Sequence, residues 1–199
     1  MFLEPRYGGQ RSGWIEVITG CMFSGKTEEL LRRLRRSNIA GQKIIIFKPY
    51  TDDRYTESEV VSHDSTSMPS IVIKETSNIL NHTHEYQVIG IDEGQFFDAE
   101  IVTISEKLAL QGKRVIIAGL DLDYKGISFG PIPNLMAIAE YVTKVHAICS
   151  HCGNLATHSY RISEEVDQVL VGEKDKYEPR CRQCYAMGNI LDLRIKKDS

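Results

Sequence analysis

Near its start the chain carries Gly20-Cys21-Met22-Phe23-Ser24-Gly25-Lys26-Thr27, which has the pattern G-x-x-x-x-G-K-T. This stretch follows the largely apolar run Trp14 to Ile18 and opens a helix-forming run, Glu28 to Ile39. A strand, a glycine-rich loop and a helix in this order form a phosphate-binding loop, because the glycines let successive backbone N–H groups point at phosphate oxygens. Lys26 is predicted to reach the β- and γ-phosphates, and the Thr27 hydroxyl to hold Mg²⁺. The pattern therefore predicts that the protein binds a nucleoside triphosphate.

Length, composition and charge limit the possible classes of protein. The 199 residues, 42% hydrophobic and 26% charged, fit one domain of ordinary size with at most a small appendage. No apolar run approaches the ~20 residues of a membrane helix, and no signal peptide is visible, so we expect a cytoplasmic protein. The net charge of −3 argues against nucleic acid as the main ligand. A basic run, Arg32, Arg33, Arg35 and Arg36, flanks leucines at helical spacing and is interpreted as a solvated helix face.

Apolar runs alternate with helical runs along the first three quarters of the chain. Strands are predicted at 14–19, 43–47, 71–73, 88–91, 114–120 and 141–148. Helices are predicted at 26–39 and 98–111, with another around Leu135 to Ala139, whereas 50–70 is predicted as a long functional loop and 75–84 as a short polar helix or loop. Near-continuous apolar strands alternating with helices predict a parallel sheet covered by helices on both faces.

The pair Asp92-Glu93 follows directly after the apolar run Val88 to Ile91. Ligands of open parallel sheets bind at the carboxyl ends of the strands, so this pair is expected beside the phosphate-binding loop. Asp92 is predicted to associate with Mg²⁺, and Glu93 to accept a proton from the attacking oxygen. The two carboxylates leave open whether that oxygen belongs to water, as in an ATPase, or to a substrate hydroxyl, as in a kinase.

Four of the five cysteines form two Cys-x-x-Cys pairs, Cys149 with Cys152 and Cys181 with Cys184. In a cytoplasmic protein this spacing favours a tetrahedral Cys₄ zinc site over disulfides or redox thiols. Four thiolates would fill the coordination sphere, so the predicted role is structural. Zinc would pin the base of the long segment between the pairs, whose tip could fold over a ligand. A plain zinc ribbon that docks another protein is the alternative.

Several motifs together carry a resemblance to one family. They are the loop Gly20 to Thr27, Asp52-x-Arg54-Tyr55, Asp92-Glu93-Gly94-Gln95-Phe96-Phe97, Leu120-Asp121, Phe129-Gly130 and the two cysteine pairs. In this order they resemble type II thymidine kinases, the cytosolic, zinc-containing class, over about 14 to 187. The resemblance implies an α/β fold: a RecA-like P-loop domain with a mainly parallel sheet, plus a small C-terminal zinc-binding lasso domain. The expected division is an arm at 1–12, a kinase domain at 13–147, a zinc and lasso domain at 148–187, and a tail at 188–199.

The resemblance also implies an activity, transfer of the ATP γ-phosphoryl group to the 5′-hydroxyl of thymidine, and roles for individual residues. Glu93 resembles the general base and Asp92 the Mg²⁺-associated carboxylate, while Asp52 and Arg54 match a pair near the phosphates and metal. The implied ATP contacts are the loop Gly20 to Thr27 with Asp92, Glu93, Gly94 and Gln95. The implied thymidine contacts are Met22, Phe96, Phe97, Leu120, Tyr124, Ser159, Leu170, Val171, Gly172 and Tyr177. A homotetramer and feedback inhibition by dTTP are further expectations of this resemblance.

Two alternatives and one departure bear on this prediction. A RecA-like ATPase with a DNA-binding zinc ribbon is disfavoured by the acidic balance and by the apolar Val169 to Val171. A regulatory module that binds nucleotide without chemistry would leave Glu93 without a role. The departure is Cys21, which stands where the family often has proline and is interpreted as a packing or incidental thiol. Because the phosphate loop is assigned to a separate domain, loss of zinc is expected to weaken thymidine binding first and ATP binding less.

Overall fold

The fold is built on a twisted sheet of short apolar strands, seen in a computed structural model that describes residues 13–50, 59–61, 67–162 and 176–195. The strands are β1 (Trp14–Thr19), β2 (Ile44–Pro49), β3 (Glu59–Val61), β4 (Ser67–Pro69), β5 (Ile71–Ile73), β6 (Val88–Ile91), β7 (Arg114–Gly119), β8 (Tyr141–Lys144), β9 (Ala147–Ile148), β10 (Leu155–Ala156), β11 (His158–Arg161) and β12 (Tyr177–Arg180). The α-helices are α1 (Lys26–Ile39), α2 (Glu100–Leu110), α3 (Ile132–Ile138) and α4 (Arg182–Ile195).

The main sheet has six strands in the order β5-β2-β6-β7-β1-β8. Neighbouring strands run parallel throughout it. The central strands β6 and β7 are buried along their whole length, which explains why their sequences are apolar apart from Arg114 at the start of β7. The predicted parallel α/β sheet is therefore confirmed, and the carboxyl ends of β1, β6 and β7 lie at one edge of it.

Helices cover both faces of this sheet, as the alternating pattern predicts. On one face, α1 packs Leu30, Leu31 and Leu34 against buried side chains of β1, β2, β6 and β7. On the other face, the larger core includes Ile101 and Leu108 of α2 together with residues of α3. Since α1 begins at Lys26, its packing on β1 and β7 fixes the end of the phosphate-binding loop relative to the sheet edge.

Two predicted segments differ from the structure. The strand predicted at 141–148 is divided into β8, which joins the main sheet, and β9, which pairs with β10 outside it. The sequence did not indicate this division because the difference lies in which strand each piece pairs with, and local pattern does not show that. The segment 50–70, predicted as a loop, contains the antiparallel strands β3 and β4. The segment 75–84 forms a 3₁₀ helix at Thr76–His82, in agreement with the prediction of a short helix or loop.

The interpretation of the arginine run as a solvated face is wrong for Arg33. Its side chain is only 2% exposed, and its Nη1 lies 2.8 Å from Glu16 Oε2, on a carboxylate that is fully buried in β1. Arg114, also buried, contacts the same carboxylate through Nε at 2.6 Å. Helical spacing alone cannot distinguish Arg33 from Arg32, because the buried acidic partner lies on a different element.

A small module follows the sheet. It consists of the pairs β9–β10 and β11–β12 with α4, and it contains all four cysteines of the two Cys-x-x-Cys motifs. Tyr185 of α4 stacks on His158 of β11 with ring centroids 4.5 Å apart, and its hydroxyl donates to the carbonyl oxygen of Tyr124 at 2.8 Å. The module thus lies directly against the loop that follows β7. Among the described residues, no helix combines the length and apolar character needed to cross a membrane.

Candidate active site

The phosphate-binding loop lies between β1 and α1, as predicted. Gly20 has a φ of 147°, and a Cβ at this position would lie 2.1 Å from the carbonyl oxygen of Val145, so only glycine fits. Gly25 also has a positive φ, and its carbonyl oxygen accepts the first hydrogen bond of α1, from the Glu29 N–H. The Lys26 ammonium lies across the loop and donates to the carbonyl oxygen of Cys21 at 2.9 Å. Burial lowers the pKa of Lys26, while the neighbouring Glu93 acts in the opposite direction.

Thr27 and Asp92 come together across the gap between α1 and β6. The Thr27 hydroxyl lies 3.3 Å from each carboxylate oxygen of Asp92. Burial, followed by the nearby charge of Glu93, raises the pKa of Asp92 to about 7. A hydroxyl and a carboxylate at this separation offer the hard oxygen ligands that Mg²⁺ prefers, and a cation would offset the burial of the Asp92 charge. The residues present therefore fit a magnesium ion associated with a bound triphosphate.

Glu93 is exposed and lies just after the end of β6, where its backbone conformation turns the chain away from the strand. It has a left-handed conformation, with φ 53° and ψ 39°, which is uncommon for a residue other than glycine. Gln95 donates from Nε2 to Glu93 Oε2 at 2.5 Å and accepts from the Leu120 N–H at 2.9 Å. Gln95 is buried, and both the nitrogen and the oxygen of its side-chain amide are hydrogen-bonded. It therefore fixes the direction of the Glu93 carboxylate relative to the end of β7.

Most of the predicted thymidine contacts that the structure describes lie at the edge of the sheet formed by the carboxyl ends of the strands, whereas Phe97 lies in the core. Partly exposed Phe96 packs edge-on against Phe129 at 5.6 Å between centroids, and Leu120 and Tyr124 follow β7 at the same sheet edge. Ser159 of the cysteine module reaches this edge, because the Met22 N–H donates to its Oγ at 3.0 Å. Phe97 differs, since it is 6% exposed and belongs to the large core beside α2. Its role in thymidine binding stays a prediction.

An arginine that the sequence pattern did not single out links two of the predicted thymidine residues. The Arg161 guanidinium lies over the Tyr124 ring at 3.5 Å from the centroid, and its Nη2 donates to the Tyr177 hydroxyl at 2.5 Å. Both Arg161 and Tyr177 are buried. No alternation along β11 marks Arg161 as buried, because all four residues of that strand are buried, and its partner Tyr124 lies in a distant loop.

Asp121, part of the Leu120-Asp121 motif, makes another contact that the sequence pattern did not indicate. Its buried carboxylate accepts from Lys144 Nζ at 2.5 Å, which ties the end of β7 to the end of β8. These two strands flank β1, so the ion pair lies beside the strand that leads into the phosphate-binding loop.

The four predicted zinc ligands converge. The Sγ atoms of Cys149, Cys152, Cys181 and Cys184 all lie within 4.8 Å of one another. Tetrahedral zinc with Zn–S bonds near 2.3 Å requires sulfurs about 3.8 Å apart, close to the 3.6 Å between Cys152 and Cys181. Although burial acts to raise it, backbone N–H groups of Cys181, Cys152 and His151 lower the pKa of the Cys149 thiol to about 6. Thiolate is the form that binds metal, so the cluster fits a divalent ion such as zinc.

Five predicted site residues lie outside the described residues. They are Asp52, Arg54, Leu170, Val171 and Gly172. Their roles stay predictions, as do the limits of the N-terminal arm and the C-terminal tail.

The arrangement defines a class of protein. A parallel sheet with a G-x-x-x-x-G-K-T loop after β1, and a buried aspartate after β6 within reach of the loop threonine, is the nucleotide site of P-loop proteins. A more specific assignment comes from comparison with known families. The family model described as thymidine kinase matches residues 13–185. The chain belongs to the thymidine kinase family.

Curated relatives agree with this assignment. A thymidine kinase of Rhodothermus sp. is 53% identical over 188 residues, covering 93% of this chain and 88% of the relative. A thymidine kinase of Bacteroides fragilis is 56% identical over 176 residues, covering 88% of each chain. Among solved structures, the Legionella pneumophila ATPase DotB matches 72% of this chain and 43% of that chain, with a TM-score of 0.42 at 14% identity. Similarity at that level supports no functional comparison.

Proposed function

We propose that this member of the thymidine kinase family transfers the γ-phosphoryl group of ATP to the 5′-hydroxyl of thymidine, giving dTMP and ADP. The observation that carries the proposal is the placement of Asp92 and Glu93 opposite the phosphate loop. Asp92 is buried and contacts Thr27, whereas Glu93 is exposed and held by Gln95. This arrangement supports a metal and phosphate role for Asp92 and a substrate-facing role for Glu93.

The loop supplies binding and charge neutralisation. Backbone N–H groups of the loop and the first turn of α1 would receive the phosphate oxygens, where the helix dipole adds positive potential. Lys26 would exchange the Cys21 carbonyl for phosphate oxygens and stabilise the negative charge of the transferring group. Thr27 and Asp92 would hold Mg²⁺, which when bound neutralises charge on the β- and γ-phosphates.

Glu93 is the proposed general base. Its carboxylate accepts the proton as the thymidine 5′-oxygen forms a bond to the γ-phosphorus and the bond from that phosphorus to the ADP oxygen breaks. The hydrogen bond from Gln95 orients the carboxylate without neutralising it. A hydroxyl nucleophile, rather than water, is favoured by the aromatic and apolar side chains beside it, since Phe96, Phe129 and Leu120 offer a surface for a base and sugar.

Further properties are proposed from family membership. The cysteine cluster would hold structural zinc, and the segment between β11 and β12 would close over the nucleoside. A homotetramer, inhibition by dTTP and a cytoplasmic location complete the proposal.

One assay tests the activity. ADP formation is measured with thymidine, with single-stranded DNA and with neither, and the nucleoside product is identified by mass. We expect ADP and dTMP in equal amounts with thymidine alone. ADP formation that depends on DNA, or that proceeds equally without an acceptor, would refute the kinase assignment and favour an ATPase.

A further inference from the structure

The phosphate-binding loop touches the cysteine module directly. The Cys21 thiol is 2% exposed and donates to the carbonyl oxygen of Ala156 on β10 at 3.4 Å. The next residue, Met22, donates its backbone N–H to Ser159 Oγ on β11 at 3.0 Å. Two consecutive loop residues are therefore hydrogen-bonded to two different strands of the module.

The two partner strands, β10 and β11, each pair with a strand that lies just before one of the cysteine pairs. Ala156 pairs with Ala147 on β9, two residues before Cys149. Ser159 pairs with Pro179 on β12, two residues before Cys181. A change in the position of either cysteine pair would therefore be passed through one strand pairing to a residue that contacts the loop.

Packing strengthens the contact. Cys21 belongs to a small buried cluster with Ala147, Cys149 and Ala156, and Phe23 packs against it from the loop side. Phe23 has a φ of 63°, a conformation that costs free energy in a residue with a Cβ and persists only where the surroundings enforce it. One buried and one partly buried side chain of the phosphate loop, Cys21 and Phe23, thus pack against the same surface that holds the cysteine sulfurs.

We propose that Cys21 and Ser159 are positioning residues that hold the phosphate-binding loop in shape, so that metal binding at the cysteines raises affinity for ATP and not only for thymidine. This inference rests on the proposed function, because it takes the Gly20 to Thr27 loop as the triphosphate site. It differs from the expectation from sequence that loss of zinc weakens ATP binding less than thymidine binding. It also gives Cys21 a role, because its thiol donates to the carbonyl oxygen of Ala156.

The test separates ATP binding from thymidine binding. Affinity for a non-hydrolysable ATP analogue with Mg²⁺ is measured by calorimetry without thymidine, beside zinc content per chain and melting temperature. Ser159→Ala removes the acceptor of the Met22 N–H, and we expect a loss of analogue affinity of about tenfold at unchanged zinc content. Ser159→Thr keeps an Oγ and should recover most of that loss. If Ser159 contacted only thymidine, this measurement would not change.

Control and complementary variants sharpen the result. Thr157→Val alters a polar residue on the same segment whose side chain contacts His158 instead of the loop, and it should leave analogue affinity unchanged. Cys21→Ala should lower affinity, and Cys21→Ser should lower it less because a hydroxyl can still donate. Zinc-loaded Ser159→Ala and Cys21→Ala proteins with wild-type analogue affinity would overturn the inference. Absence of analogue binding by the wild-type protein would refute the proposed function instead.

Discussion

Glu93 is the residue whose replacement separates binding from chemistry. We expect Glu93→Gln to lower kcat by about 10²-fold or more, the usual scale for loss of a positioned base, with little change in ATP or thymidine affinity. The amide keeps the size of the side chain and can still pair with Gln95. Steady-state kinetics with separate ligand titrations measure this. Glu106→Gln, an exposed change on α2, is the matched control, and near-normal turnover of Glu93→Gln would remove Glu93 from the mechanism.

Asp92 makes the ligand-free protein sensitive to pH. Burial raises its pKa to about 7, whereas an aspartate in an unfolded chain titrates near 4. Between these values the folded state binds more protons, so this carboxyl's contribution to stability is present below about pH 4 and lost as the pH rises through about 7. Asp92→Asn should therefore raise the free energy of unfolding at pH 8 by about 2 kcal/mol while abolishing activity. Urea unfolding without Mg²⁺ or ATP at pH 5 and pH 8 tests this, and equal stability of both proteins at pH 8 would contradict it.

The side chain of Gln95 joins two elements, the turn after β6 and the end of β7. The Gln95 side chain spans from Glu93 to the Leu120 N–H and is 3% exposed. Gln95→Met keeps the length but removes both hydrogen bonds, so the Glu93 carboxylate loses its orientation. We expect kcat to fall about tenfold with a smaller change in the KM for ATP, and stability to fall by about 1–3 kcal/mol. A fall in stability with unchanged kcat would show that Gln95 only supports the fold.

Element type was predictable wherever a local pattern and its burial agree. The runs that became β1, β6 and β7 are mostly apolar because both faces of these strands are covered. The glycine-rich loop follows β1 directly, and the adjacent carboxylates follow β6. Partners in space were not predictable from local pattern. The division between β8 and β9 depends on which strand each piece pairs with, and the contact of Cys21 with Ala156 joins residues far apart in sequence. The contact of Arg161 with Tyr124 was not predictable for the same reason.

Across the whole molecule, a buried ionic network ties α1 to the sheet. Glu16 on β1 is fully buried and contacts both Arg33 of α1 and Arg114 of β7, while the Trp14 indole donates to the same carboxylate at 2.7 Å. Arg33 also contacts Thr143 of β8 at 2.9 Å. The Arg33 side chain therefore contacts two neighbouring strands directly, and a third, β7, through Glu16. The start of the same helix completes the phosphate-binding loop.

Arg33 and its neighbour Arg32 provide a matched pair for testing this network. Arg33→Ala would leave the Glu16 carboxylate buried with one of its two cationic partners, and removing a partner from a buried pair costs about 3–5 kcal/mol. Arg32 is 52% exposed and paired with Glu29, so Arg32→Ala should lower the free energy of unfolding by less than about 0.5 kcal/mol. Urea unfolding of the two variants in the same buffer measures the difference. Because the two residues are adjacent on α1, helix propensity changes little between them, and equal stabilities would show that the buried network does not hold the helix to the sheet.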